Sequence, residues 1–189
     1  MPALRILIAD DESIIRLGLK KMLEALGHQV VAAATDGVTA VDLARRTQPD
    51  LAILDVRMPH LDGLEAARQI TENRPIPIVL LTAYSDRATV ERAKSTAISA
   101  YLVKPIKEAE LGPTIEIALA RFEEQQMLAA EREELSDALE TRELVAQAKK
   151  CLMAHRGLTE REAFRQIHLT SRAQRRPMKD VARDILRDV

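Results

Sequence analysis

Leu51-Ala52-Ile53-Leu54-Asp55-Val56-Arg57-Met58-Pro59 decides the fold. Its leading apolar run, bounded by Pro49-Asp50 before and Met58-Pro59 after, is too short for a helix and reads as a buried parallel strand. The run ends abruptly in a carboxylate. Open α/β sheets place their ligands beyond the carboxyl ends of their strands, so Asp55 stands where chemistry is expected.

Working outward, three more short apolar runs end in polar residues. Asp10-Asp11 follow Leu4-Arg5-Ile6-Leu7-Ile8-Ala9, Thr82-Ala83 follow Ile78-Val79-Leu80-Leu81, and Lys104-Pro105 follow Tyr101-Leu102-Val103. Val30-Val31-Ala32-Ala33 supplies a fifth strand. Helical stripes alternate with these runs. The first extends from Ile14 to Leu26, with Ser13 as its expected cap and Gly27 ending it. Asp36-Gly37 opens the second, and Leu64–Ile70 and Asp86–Ala93 carry two more. Strict alternation predicts an α/β fold: a doubly wound, five-stranded parallel sheet with helices on both faces, and 2-1-3-4-5, one of the common orders for such sheets, is the order expected.

Such a sheet brings Asp10, Asp11, Asp55, Thr82 and Lys104 to one edge. Crowded carboxylates repel and require a hard cation, and Mg²⁺ takes oxygen ligands while keeping several waters. A carboxylate can attack a phosphoryl group to give an acyl phosphate. Cation and lysine would neutralise the oxygens of the transferring group.

These residues, in this order, make the chain resemble the receiver domain of bacterial two-component response regulators. The resemblance implies that Asp55 is the phosphoacceptor, charged by a sensor histidine kinase. The chain would then be no enzyme beyond its own dephosphorylation. It implies Mg²⁺ held by Asp10, Asp11, Asp55 and the backbone carbonyl of Arg57. Thr82 becomes the switch hydroxyl, Tyr101 the aromatic that turns inward on activation, and Lys104 the phosphate-contacting lysine. Pro105 would follow a cis bond, which essentially only proline tolerates. Met58-Pro59 with Asp62-Gly63 fit the loop after the acceptor. Arg57 and Tyr84 fall where this family flanks the path of hydrolytic water, implying slow loss of phosphate. Ala97 departs from the glycine that many receivers carry at that helix end.

Composition sets outer limits. With 189 residues, 47% hydrophobic and 30% charged, the chain is globular rather than disordered and has room for a second, smaller domain. No apolar run reaches the roughly 20 residues of a membrane span. Met1-Pro2-Ala3 leads straight into the first strand, so no signal peptide is expected, and one cysteine suits a reducing cytoplasm. Net charge is −1 but uneven: from Arg142 to Val189 there are 12 Lys and Arg against 6 Asp and Glu. A basic tail behind an acidic front points to nucleic acid, with a solvated helical face as the alternative.

That tail is helical in pattern. A helix beginning near Lys107 to Leu111, with Pro113 expected in its first turn, continues through Phe122 to Leu152 without another glycine or proline. Leu128, Leu135, Ala138, Val145 and Leu152 form an imperfect heptad stripe, a coiled-coil or connector signal. Thr159-Glu160-Arg161-Glu162 has the form of a capping box, and Ala163, Phe164, Ile167 and Ser171 are expected to face inward. Pro177 is expected as a first helical residue, followed by an apolar face from Met178 to Val189. Cys151 and His155 share a helical face at metal-ligand spacing, but with only His168 nearby they lack a zinc ligand set, so packing is expected of them.

Arg142 to Met153 followed by Gly157 to Phe164 resembles the ANTAR domain of antiterminator proteins, with Lys150 where that family often has glycine. The expected division is a receiver over 1–121, then a connector helix and a small three-helix domain over 122–189. The resemblance implies binding of RNA hairpins in nascent leaders and transcription antitermination; the heptad stripe of the connector helix makes a homodimer on phosphorylation the expected form. Lys149, Lys150, Arg156, Arg165, Arg172, Arg175, Arg176, Lys179 and Arg183 are candidates for phosphate contacts, which dominate affinity. With Phe164 assigned to the core, stacking on unpaired bases would fall to arginine planes. Two alternatives are a DNA-binding output and a phosphorylation-controlled protein-docking module. No DNA and no membrane partner is expected, because the aspartates of the last helix would face a DNA groove badly.

Overall fold

The computed structural model describes residues 2–83 and 98–187; Tyr84, Ala97, Asp188, Val189 and the helix expected over Asp86–Ala93 lie outside the described residues. The chain divides into two compact units, Met1–Gln125 and Gln126–Val189.

Strands β1 (Arg5–Ala9), β2 (Gln29–Ala34), β3 (Leu51–Asp55), β4 (Ile78–Thr82) and β5 (Ala100–Val103) build the first unit. They pair in parallel, as the alternation of strand and helix predicts, and in the expected order β2-β1-β3-β4-β5. Side chains alternate between faces with a period of two, and the core splits accordingly. Leu7, Ala9, Leu54 and Leu80 pack with α2 (Gly37–Thr47) and α3 (Gly63–Asn73) on one face. Ile6, Ile8, Ile53 and Val79 pack on the other with Leu19 and Leu23 of α1 (Ser13–Ala25). Both faces are covered, which is why the central strands read as continuous apolar runs.

Local chemistry sets the ends of these helices. The Asp36 carboxylate accepts from the Thr39 amide, and Asp62 from the Glu65 amide, both at 2.8 Å. Gly27, at φ 83°, ends α1 as expected. Ser13, however, is not the cap of α1. It is the first helical residue, and Glu12 occupies the cap without a side-chain bond. The Asp10 carboxylate already takes the Glu12 amide at 2.9 Å, so the local acceptor comes from upstream.

Gly63 is required by close approach. A Cβ there would lie 2.0 Å from the Asp55 carbonyl oxygen and 2.8 Å from its carbon, both backbone atoms of the sheet. Gly63→Ala is therefore expected to destabilise the first unit by at least about 3 kcal/mol, since neither backbone can yield. A fall in the urea midpoint at unchanged m would show it; an unchanged midpoint would mean the contact relaxes freely.

One helix, α4 (Glu108–Arg156), runs from the first unit into the second. Leu111, Ile115 and Ala118 seal the α1 face of the sheet. Pro113 is the sixth helical residue and so sits in the second turn, not the first; the Thr114 hydroxyl donates to the Glu110 carbonyl at 2.7 Å beside it. From Glu123 to Glu140 every residue is exposed.

In the second unit, α4 packs with α5 (Glu160–Gln174) and α6 (Met178–Arg187) around Val145, Ala148, Leu152, Ala163, Ile167, Val181 and Ala182. Thr159 and Glu162 form the expected capping box. Pro177 directly precedes α6 rather than opening it. Phe164 departs most from expectation: it is 46% exposed, not in the core. The stripe is centred on Ala163 and Ile167, and at about 100° per residue Phe164 lies roughly 80° off that centre, on its rim. Among the described residues no helix is long and apolar enough to cross a membrane.

Candidate functional site

The carboxyl edge of the sheet gathers charge. Asp10 follows β1, Asp55 ends β3, Thr82 ends β4 and Lys104 follows β5. Strand pairing holds them in register: the Asp10 amide donates to the Ala34 carbonyl, the Val56 amide to Leu81, and the Lys104 amide to Thr82 at 2.9 Å. Arg16 clamps the loop beyond β1, donating to the carbonyls of Asp10 at 2.7 Å and Asp11 at 3.0 Å. The bond between Lys104 and Pro105 is cis, as read from sequence.

Carboxylate oxygens of Asp10, Asp11 and Asp55 lie within 4.8 Å of one another; Asp10 and Asp55 are buried and Asp11 is exposed. The Lys104 ammonium sits 2.7 Å from Asp10 Oδ2 and 3.1 Å from Asp55 Oδ2. At an effective dielectric of about 20, Asp10 and Asp55 repel by roughly 3.5 kcal/mol. One ammonium against three carboxylates leaves two negative charges unbalanced, with Glu12 4.0 Å from Lys104 adding a more distant one. Burial pushes the Asp55 carboxyl above its ordinary range, opposed by the hydrogen bond and charge of Lys104 and reinforced by Asp10 and Asp11. Burial works against the Lys104 ammonium too. The two carboxylates outweigh it and hold the lysine above its usual value.

The donor set fits a small divalent cation. Every ligand is oxygen, the unbalanced charge is two, and buried Asp10 Oδ2 has ionic contact with Lys104 but no hydrogen-bond partner. No other group of three His, Cys, Asp or Glu among the described residues is so arranged. Cys151 Sγ lies 3.9 Å from His155 Nδ1, and that nitrogen is 3.1 Å from the Cys151 carbonyl, an arrangement internal to one helix.

Around this centre, Thr82 is buried at 5% exposure. Tyr101 is half-buried against the α2–α3 face, and burial raises its phenol, with Arg121 opposing. Arg57 is exposed in the loop leaving β3.

The basic candidates of the second unit sort by partner. Lys149 pairs with Glu160 at 2.6 Å and Arg176 with Asp184 at 2.7 Å; Lys179 pairs with Asp137, and Arg183 with Glu140. Lys150, Arg156, Arg165, Arg172 and Arg175 are exposed, and none has a carboxylate partner among the described residues. Arg161, which the sequence reading passed over, belongs with them. In the sequence it stands between Thr159 and Glu162, where the capping box already accounts for the segment.

A doubly wound sheet with this charge set at its carboxyl edge has the architecture of a receiver. Residues 6–116 match the response regulator receiver domain, and residues 133–186 match the ANTAR domain. The chain belongs to the response regulator family, with a receiver followed by an ANTAR domain. Its class is that of a phosphorylation-controlled regulator of transcription. It is 47% identical over 182 residues to the transcriptional regulatory protein PdtaR of Mycobacterium tuberculosis, spanning 96% of this chain and 89% of that protein. Among solved structures, the receiver domain of a modulated diguanylate cyclase from Desulfovibrio desulfuricans G20 superposes with a TM-score of 0.61 at 31% identity, covering 65% of this chain and 98% of that one. A LuxR-family response regulator from Aurantimonas sp. SI85-9A1 gives 0.58 at 34%, covering 62% and 86%.

Proposed function

We propose that the chain takes a phosphoryl group from a sensor histidine kinase onto Asp55 and, so charged, binds RNA hairpins in nascent transcripts as an antiterminator. Residues 1–121 would serve as the phosphoacceptor part, and 122–189 as connector and RNA-binding part, in the cytoplasm where transcripts emerge. An Asp55 carboxylate oxygen attacks phosphorus; the P–N bond to the kinase histidine breaks, and its electron pair leaves with the imidazole. The Lys104 ammonium, 3.1 Å from Asp55 Oδ2, stands where negative charge gathers. Mg²⁺, held by Asp10, Asp11, Asp55 and the Arg57 carbonyl, would supply the remaining neutralisation. Thr82 and Tyr101 are the switch pair in this scheme. Later hydrolysis of the acyl phosphate would reset the protein.

For the output half, the supporting observation is the set of exposed cations without a carboxylate partner among the described residues, headed by Lys150, Arg165 and Arg172. Phosphate contacts of this kind release counterions, so comparisons must be made at fixed salt. The phosphorylated chain is expected to bind a pool of RNA stem-loops at least about tenfold more tightly than duplex DNA of the same stem sequences, a margin near 1.4 kcal/mol. Preference for the duplex would favour a DNA-binding output. Binding to neither would leave a protein-docking module.

A further inference from the structure

Phe164 is the only Phe, Tyr or Trp between residues 126 and 189, and it stands 46% exposed. Its ring lies beside that of His168, one turn on, with centroids 6.3 Å apart and planes 17° from parallel. Ring and groove belong together. Phe164 lines an open groove of 530 Å³ whose walls are apolar at Val145, Ala146 and Met178 and cationic at Arg142, with the Lys149 ammonium beside it paired to Glu160.

The surroundings identify the occupant. Arg161 lies one turn before Phe164 on α5, and Arg165 and Arg172 follow on the adjoining outward side; all three are exposed and without a carboxylate partner among the described residues. The acidic groups of the same helix start already have partners, Glu160 the Lys149 ammonium and Glu162 the Thr159 amide and hydroxyl. An exposed ring flanked by unneutralised guanidinium groups matches single-stranded nucleic acid, whose bases stack while its phosphates take the charge. A purely apolar partner would leave those arginines without counter-charge.

We infer that Phe164, backed by His168, is a stacking platform that receives an unpaired base of a hairpin loop, with Arg161, Arg165 and Arg172 contacting the flanking phosphates. This rests on the RNA-binding reading above and assigns a site within it. Phe164→Leu keeps an apolar side chain at a half-exposed position but removes the π-face; Phe164→Tyr keeps the ring. The probe is a pool of fluorescein-labelled RNA stem-loops with randomised loops, titrated with the phosphorylated full chain at fixed salt. Loss of one stacked base is expected to weaken binding roughly 5- to 100-fold in Phe164→Leu, with most affinity retained in Phe164→Tyr. Stem-loops recovered from the pool, substituted with 2-aminopurine along the loop, should show one position quenched by the parent and not by Phe164→Leu. That quenching also decides the matter if the leucine variant misfolds, because a parent that quenches no loop position overturns the inference. Undiminished binding by folded Phe164→Leu overturns it while leaving RNA binding intact. A parent that binds no stem-loop overturns both. Loss of a sedimenting dimer in Phe164→Leu would assign the ring to a contact between copies, and would equally overturn the inference.

Discussion

Asp55→Asn is expected to abolish phosphate incorporation from a partner kinase or a small phosphodonor, and chelating divalent cations is expected to do the same to the parent. The amide cannot attack phosphorus, and no second carboxylate is equivalent. Asp10 is fully buried, with Oδ1 committed to the Glu12 amide at 2.9 Å and Oδ2 against Lys104. Asp11 is exposed and makes no contact with the lysine within 4 Å. Asp55 alone combines a place at the end of a central strand with a lysine at 3.1 Å and two neighbouring carboxylates. The requirement for a cation follows from charge, because phosphate would add up to about two negative charges to a site already two in excess. Labelling with radioactive phosphodonor, with and without EDTA, measures both effects. Asp55→Asn that labels as well as the parent would move the acceptor elsewhere; cation-independent labelling would remove the metal from the scheme.

The sheet was legible because buried parallel strands leave an unusual mark: Leu51 to Leu54 and Ile78 to Leu81 are apolar without interruption, and each ends in a polar residue. Alternation implied the parallel sheet and, with it, the convergence of Asp10, Asp55, Thr82 and Lys104 on one edge, while the strand order came from the resemblance to receivers. Helical patterns carry less information. Phe164 and Ser171 fit the inward stripe by spacing alone, yet a core built on Ala163 and Ile167 needs only a narrow face of α5, and the ring is left at its rim. Charge was harder still. Lys149 and Lys150 are adjacent in sequence, but only the fold puts Glu160 against the first and no carboxylate against the second. Which cations are already neutralised depends on contacts such as Lys179 with Asp137, 42 positions apart, and periodicity cannot supply that.

Phosphorylation is expected to raise RNA affinity by roughly 10²–10⁴ when the RNA carries two hairpins, and Leu135→Glu is expected to abolish that gain without affecting phosphorylation. Phosphate on Asp55 would draw in Thr82 and Lys104, and Tyr101, half-buried on β5, would turn into the space that Thr82 leaves. The neighbouring helix would feel the change. Leu111, Ile115 and Ala118 share a core with Leu102 of β5, and Arg121 donates to the Ser99 carbonyl at the strand's start, at 3.4 Å. Further along α4, Leu128, Leu135 and Leu139 lie 58%, 59% and 61% exposed on one side, at spacings of seven and four. Glu131, Arg132, Glu133 and Glu134 supply mixed charge between them. Pairing two copies along this stripe would bury the leucines and join two basic faces, making the second hairpin contact intramolecular. Because Leu135 is exposed in the single chain, glutamate there should change monomer stability by no more than about 0.5 kcal/mol, so its effect reports on pairing. Sedimentation and binding to a two-hairpin RNA, both at one salt concentration, test this together. The parent should dimerise and tighten on phosphorylation, whereas Leu135→Glu should stay monomeric and bind as one hairpin site would. A phosphorylated, monomeric Leu135→Glu chain that held paired hairpins as tightly as the parent would place the switch in the domain itself, not in its dimerisation.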